Sequence, residues 1–342
     1  MYKTAIVILN WNGIEYLKKF LCKVVLLSDD AETAIFVADN HSTDGSFEWI
    51  ESNFETVKII RLEKNYGFAG GYNLALEQID AKYFVLLNSD IEVTEGWLKP
   101  MIEFMDNNED VASCQPKILS YHNREYFEYA GAAGGYIDKL GYPFCRGRMI
   151  NRTEKDAGQY DAATNIFWSS GACMIIRSEA WKKAGGFDSS FFAHMEEIDL
   201  CWRLAKLGYR VCCIPQSAVY HVGGGSLPYS SPFKTYLNYR NSLFMLYKNL
   251  PDNKLHQVML LRKILDGMSA FMFLIKFDFA NFTAIFKAHV SYYKSKKTLK
   301  ESRNKIKLLG EKEIKTIFNG SIIYEFYLKG NKTFDRLNME IE

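Results

Sequence analysis

TAIVILNWNG, residues 4–13, is a strand-forming run that ends on Asn10-Trp11-Asn12-Gly13 and passes straight into a helical pattern from Ile14. Aliphatic strand, polar turn and amphipathic helix in that order read as one unit of a wound α/β sheet. The unit repeats. Ala34–Asp39, Val57–Leu62 and Tyr83–Asn88 read as further strands, with Ile14–Leu27, Gly45–Phe54 and Gly70–Ile79 as the crossover helices. Ligands of such sheets lie beyond the carboxyl ends of the strands. The candidate residues are therefore Asn10 and Asn12, Asp39, the glycines Gly67, Gly70 and Gly71, and Asn88-Ser89-Asp90. A dinucleotide fold would carry GxGxxG after its first strand; Asn10-Trp11-Asn12-Gly13 stands there instead, which argues against a nicotinamide-dependent oxidoreductase.

Taken singly, each candidate has an ordinary reading beside the functional one. Asp39 suits a capped turn, Asp90 a solvated strand end, and the glycines a tight turn before a helix. Asn88-Ser89-Asp90 also offers oxygen ligands that suit Mg²⁺ or Mn²⁺. Further on, residues 111–160 loosen into aromatic and glycine-rich stretches that read as a β insertion or cover. Glu196–Leu207 is an amphipathic helix with Glu196 and Glu197 in its first turn. The aromatic turn before it, Gly185 to Phe192, would desolvate a carboxylate and raise its pKa toward that of a useful base. His221 closes a short strand ahead of Gly223-Gly224-Gly225.

Composition sets the outer limits. With 342 residues, 48% hydrophobic and 24% charged, the chain is long enough for about two domains and is not of disordered type. The formal charge of +2 argues against a dedicated nucleic-acid binder. That charge is uneven: residues 241–342 hold 18 Lys/Arg against 10 Asp/Glu, a net of +8, which leaves −6 for the rest. Seven scattered cysteines without a CxxC pair fit a reducing, cytoplasmic setting. No apolar run reaches the roughly 18 residues of a spanning helix.

Read together and in order, these motifs resemble a bacterial family 2 glycosyltransferase of GT-A type, in its rhamnosyltransferase-like branch. The carriers are Val7 to Gly13, Asp39 to Ser46, Asn65 to Asn73, Leu86 to Asp90, Ser170 to Cys173, Gly185 to Asp188, Glu196 to Arg203, and His221. The resemblance covers about residues 3–225. It implies a Rossmann-like nucleotide-sugar domain with a mainly parallel central sheet over residues 1–230, followed by a helical, basic region over 231–342. It further implies an inverting transfer from a dTDP- or UDP-sugar, rhamnose foremost, to a glycan or lipid-linked acceptor, in the synthesis of cell-surface polysaccharide. By the same resemblance Asp39 binds the pyrimidine, and Asn10 and Asn12 line the nucleotide pocket with Ser89. Asp90 and His221 hold Mg²⁺ or Mn²⁺, Glu197 is the base with Glu196 as its fallback, and the glycine-loop amides face the diphosphate. Asn88 stands where many relatives carry the first Asp of a DXD motif; it is a candidate third metal ligand with a weaker hold. For that reason a catalytically weak sugar-nucleotide or carbohydrate binder on the same scaffold is the alternative.

The tail adds one more expectation. Phe271 to Ile275, with Phe277, Phe279, Phe282, Ile285 and Phe286, is dense in apolar side chains, and Lys294, Lys296, Lys297, Lys300, Arg303, Lys305 and Lys307 follow. An apolar stripe beside lysines suits the anionic inner face of a cytoplasmic membrane; a helical subdomain or a homo-oligomer interface would use the same stripe.

Overall fold

The computed structural model describes residues 1–28, 30–223, 231–310, 312–337 and 339. The expected boundary at 230, together with Gly224 and Gly225, lies outside the described residues. Strands β1 (Tyr2–Asn10), β2 (Thr33–Asp39), β3 (Lys58–Arg61) and β4 (Ala81–Asn88) are parallel neighbours in the order β4-β1-β2-β3. Helices α1 (Ile14–Leu27), α2 (Ser46–Asn53) and α3 (Gly67–Leu76) connect them. Side chains of β1 enter two cores alternately, Ala5 and Val7 on one face and Ile6 and Ile8 on the other. A strand covered on both faces must be apolar throughout, which is why TAIVIL shows no alternation. In α1, Leu17, Phe20, Leu21 and Val24 form the buried stripe at helical spacing. Its first free N–H, at Ile14, donates to the Asp44 carboxylate at 2.9 Å.

Helix α3 starts three residues earlier than its periodicity predicts. Gly67 takes φ +72°, and the Phe192 carbonyl, from far along the chain, accepts the N–H groups of Phe68 at 2.7 Å and Ala69 at 3.2 Å. A Cβ on Gly71 would lie 2.8 Å from Leu9 Cδ1, so glycine lets the helix sit close on β1.

The second half of the sheet is mixed. After β5 (Ile91–Val93) and α4 (Lys99–Asn107) comes β6 (Val111–Ser120), then four short strands, β7 (Gly135–Asp138), β8 (Pro143–Cys145), β9 (Arg148–Met149) and β10 (Arg152–Thr153). Next are β11 (Thr164–Ile166), β12 (Cys173–Arg177), α5 (Ser178–Ala184), α6 (Glu196–Lys206) and β13 (Arg210–His221). The main sheet runs β11-β13-β6-β12-β4-β1-β2-β3, with β5 beside β13; β12 is antiparallel to both neighbours, whereas β13 is parallel to β6. The expected loosening from residue 111 is thus corrected at its start, because β6 is a buried inner strand. Polar residues disguise it. Gln115 accepts the Ser170 N–H at 2.9 Å, and the Lys117 ammonium binds Asp156 at 2.8 Å and also Asp161.

The C-terminal region comprises α7 (Pro232–Asn249), α8 (Asp252–Ile275), α9 (Phe279–Lys294), α10 (Lys296–Lys307), β14 (Ile317–Phe318) and α11 (Ile322–Tyr327). It returns to the body: β14 adds a parallel strand to β7 at the edge of the second sheet, β10-β9-β8-β7-β14. The Ile322 N–H donates to Asp138 at 3.0 Å, and the Phe334 ring packs 5.2 Å from Tyr136, 6.0 Å from Phe144 and 5.9 Å from Tyr160. Phe334→Ala should therefore lower unfolding free energy by about 3–5 kcal/mol, the usual cost of emptying a buried aromatic site. Urea denaturation checks this, and a loss under about 1 kcal/mol would show that the tail is not anchored there.

Candidate active site

Strand register brings the expected residues together. Asn10 is opposite Asp39 in the β1–β2 pair and Leu9 is opposite Asn88 in the β1–β4 pair, so Asn10, Asp39 and Asn88 end three adjacent strands at one edge. Asn10 is fully buried; its Nδ2 donates to Ser42 Oγ at 3.1 Å, and its Oδ1 has no protein partner. Ser42 also receives the Asn12 N–H at 3.0 Å, while its own N–H donates to the Asp39 carboxylate at 3.2 Å. Asn12, at φ +51°, accepts the Thr43 N–H at 2.7 Å. These bonds hold the loops after β1 and β2 as one polar wall. Asn40 ties in the third loop: its Oδ1 accepts the Tyr66 N–H at 2.9 Å, and its Nδ2 donates to Asn65 Oδ1 at 3.0 Å and to the Gly67 carbonyl at 3.1 Å. Asn40 lies inside a quoted motif, yet nothing in its spacing marks it as the link.

The glycine loop is corrected in one respect. The N–H of Gly67 donates to Asn65, and those of Phe68 and Ala69 to the Phe192 carbonyl, so the first amides of α3 are not free to receive a diphosphate. The space that a Cβ would take is already filled, at Gly67 by Phe192, at Gly70 by Tyr66 and at Gly71 by Leu9. These glycines serve protein packing.

At the other end of the edge, His221 Nε2 lies 3.2 Å from Asp90 Oδ1, and its Nδ1 lies 3.3 Å from Glu128 Oε2. All three side chains are buried. Burial works against a charged imidazole, but Glu128 and Asp90 outweigh it and push the His221 pKa up to about 10. Burial likewise opposes the Asp90 charge, and His221 outweighs it, holding that carboxyl below its usual range. Two cis ligands on an octahedral ion at about 2.1 Å are separated by about 3.0 Å. The 3.2 Å between Asp90 Oδ1 and His221 Nε2 fits that edge, and Glu128, on the far ring nitrogen, is placed as the carboxylate that orients a ligating histidine. Among the described residues no group of three or more His, Cys, Asp or Glu could hold an ion by itself. A magnesium-type site that takes its remaining ligands from phosphate and water needs no such group. Glu128 went unnoticed in the sequence because it lies in the stretch read as an insertion.

Glu197 sits over the same edge. A Cβ on Gly171 would lie 4.0 Å from the Glu197 side chain, and the next residue, Ala172, accepts the Asn88 N–H at 2.9 Å. Burial pushes the Glu197 carboxyl up to about 7; burial and the Glu197 charge push Glu196 well above its ordinary value. Neither Oε2 has a protein partner. Their helix is entered through a strained turn, with Phe192 at φ +65°, His194 at +69° and Met195 at +74°. The buried Asn241 of α7 clamps it, donating to the carbonyls of Phe191 at 3.0 Å, Ala193 at 2.8 Å and His194 at 2.8 Å. Arg240 adds bonds to Ser190 and Phe191. Beneath, Lys248 joins Asp188 at 2.6 Å and Asp199 at 3.0 Å, which locks α6 to α7. Asn241 and Lys248 carried no sequence signal, because their partners lie 47 to 60 residues away. The arrangement brings together a polar wall at the strand ends, a buried Asp90–His221–Glu128 cluster and a carboxylate able to take a proton near neutral pH.

Residues 5–184 match the family model described as glycosyl transferase family 2. An N-acetylglucosaminyl-diphospho-decaprenol L-rhamnosyltransferase of Mycobacterium tuberculosis is 23% identical over 231 residues, 63% of this chain and 75% of the relative. Rhamnosyltransferase WbbL of Escherichia coli is 25% identical over 223 residues, 63% of this chain and 82% of that one. Among solved structures, GalNAc-T7 with UDP, GalNAc and Mn²⁺ aligns with a TM-score of 0.56 at 16% identity, covering 72% of this chain and 48% of that chain. The last likeness is one of fold, and the GT-A architecture expected above is the one observed.

Replacing Asn241 by Ala removes three carbonyl partners from the strained turn. The protein should lose about 2–3 kcal/mol of stability, and the amides of Phe68 and Ala69 should lose hydrogen-exchange protection as the Phe192 carbonyl shifts. Unchanged protection at those two amides would show that the turn holds without the clamp.

Proposed function

The chain belongs to glycosyl transferase family 2, and we propose that it is an inverting transferase that takes its sugar from a pyrimidine nucleoside diphosphate donor. dTDP-rhamnose leads the dTDP- and UDP-sugars, and the acceptor is a hydroxyl of a glycan or lipid-linked saccharide destined for cell-surface polysaccharide. The mycobacterial and E. coli relatives are rhamnosyltransferases by name, and the former acts on a diphospho-decaprenol glycan, which supports both the sugar and the acceptor class. The observation that carries the reading is the one sheet edge shared by Asn10, Asp39 and Asn88, with the half-buried Glu197, whose Oε2 has no protein partner, above it.

Asp39 accepts the pyrimidine ring N–H, and Asn10, whose Oδ1 is unpartnered, lines the pocket with Asn12 and Ser89. Asp90 and His221 would hold Mg²⁺ or Mn²⁺, with Asn88 as a third, neutral ligand, and the ion would supply positive charge to the leaving diphosphate. The GalNAc-T7 neighbour with its UDP and Mn²⁺ supports a divalent ion in this fold. Glu128 lies 3.3 Å from His221 Nδ1 and adds negative charge beside the ring. Glu197 receives the acceptor hydroxyl proton as that oxygen bonds to the anomeric carbon and the carbon–diphosphate bond breaks on the opposite face. Direct displacement needs no covalent intermediate. Glu196 is the more deeply buried of the two, and burial with the Glu197 charge raises its carboxyl well above the ordinary value, which favours Glu197 as the base.

Glu197→Gln should lower kcat about a hundredfold or more while calorimetric donor binding stays normal. A nearly full rate in that variant, with Glu196→Gln inactive, would move the base by one residue. A base works only when deprotonated, so kcat should climb as pH rises through about 7 and level off above it. A flat profile between pH 5 and 8 would remove the raised carboxyl from the mechanism. Release of nucleoside diphosphate should stop with a chelator and return with Mg²⁺ or Mn²⁺, and Asp90→Ala should abolish it. Full activity in excess chelator would refute the cation. A protein that binds dTDP yet turns over no donor would be the binder of the alternative reading.

A further inference from the structure

Helix α8 buries an ion pair beside Val258 and Met259 and exposes a long apolar stripe. Its inward face carries Arg262 and Asp266, whose ion pair spans 3.0 Å, and His289 of α9 reaches the same carboxylate at 3.2 Å. Its outward face carries Leu260 and Leu261, then Ile264, Met268, Phe271 and Ile275, all exposed, the later ones spaced by three or four residues. At 1.5 Å per residue the stripe is about 22 Å long. The turn into α9 continues it, with Phe277 at 80% exposure and Phe279 at 57%, and Phe286 adds 64%. An apolar surface of this extent is not left bare in water without a partner.

Charge identifies the partner. Between Lys254 and Lys300 the acidic residues are Asp266, paired inside, and Asp278, which caps Asn281 at 3.1 Å. Lys276, between α8 and α9, and Lys287 and Lys294 of α9 are exposed, and so are Lys296, Lys297 and Lys300 of α10. Arg303 and Lys307 are not available, since both bind Asp252. A second copy docked on this face would bring lysines against lysines, whereas an anionic lipid surface takes the apolar stripe and the cations together. No described helix is long and apolar enough to cross a membrane.

The face is also joined to the candidate site. Thr235 of α7 donates to Asn281 of α9 at 2.6 Å, just behind Phe279, and Phe233 of the same turn packs 6.2 Å from Phe192 in the loop that leads to Glu197. A cleft of about 310 Å³ between Phe233, Tyr236, Ala284 and Lys287 lies between the two. We propose that the α8–α9 hairpin lies in the surface of an anionic bilayer and holds the Glu197 side of the cleft at the level of the lipid headgroups. The proposal does not depend on the donor or on the base assignment.

Flotation of the full-length protein with phosphatidylcholine vesicles, with and without phosphatidylglycerol, tests it. The protein should rise with phosphatidylglycerol vesicles at low salt and less so at high salt. Phe271→Ser, Met272→Ser and Ile275→Ser combined should lower the bound fraction about tenfold or more, with an unchanged melting temperature and unchanged nucleotide binding. Lys276→Glu with Lys287→Glu should weaken binding to the anionic vesicles selectively. Failure of the wild type to float at low salt, or equal flotation of the serine variant, overturns the proposal. A wild-type dimer that the serine variant turns into a monomer, with neither form floating, assigns the face to a second copy instead.

Discussion

Between Phe192 and Met195 the backbone runs three times through the left-handed region without a glycine, and a single buried carboxamide, that of Asn241, meets three of the carbonyls around it. Such conformations persist only where the surroundings over-determine them. Two helices depend on the outcome. The Phe192 carbonyl supplies the acceptor for the first amides of α3, and Met195 opens α6, which carries Glu196 and Glu197. The start of α3 and the helix that carries Glu196 and Glu197 are thus referred to one turn. Gly67 completes the fit, since any side chain there would strike the Phe192 ring.

Three of the buried cations are matched directly by carboxylates. Lys117, Lys248 and Arg262 are withdrawn from water and each meets a carboxylate. Burying an ion pair adds little net stability, but removing one partner is costly, so such pairs specify which packing is adopted. Glu196 and Glu197 have no cation beside them, and raised pKa values of the kind that result cluster at functional sites.

Local physics made much of the fold legible in advance. Helix α1 was readable to its last residue because one apolar stripe and one polar entry define it. The strand-end residues were readable because a wound sheet always delivers its turns to the same edge. What was hidden is non-local. The start of α3 is set by a carbonyl more than a hundred residues away; β6 carries buried Gln115 and Lys117, whose partners lie in other loops. The roles of Asn241, Glu128 and Asn40 exist only once distant loops have met. The apolar stripe of the tail was visible, but not that α8 turns it outward and folds its ion pair in.

One pairing bears on how the molecule is made. Strand β7 receives β14 through Ile317 opposite Ile137, across 180 residues of chain. A protein leaving the ribosome from its N-terminus can close β1 to β4 early, from contacts near in sequence. The second sheet stays one strand short until residue 318 has emerged, and Tyr136 and Phe144 lack their Phe334 cover until later still. Until then β7 presents an unpaired edge beside uncovered aromatic rings, the kind of surface that chaperones hold and that aggregation exploits. Full closure of this body therefore waits on residues 317–334, and a chain that lacks them carries the exposed edge permanently.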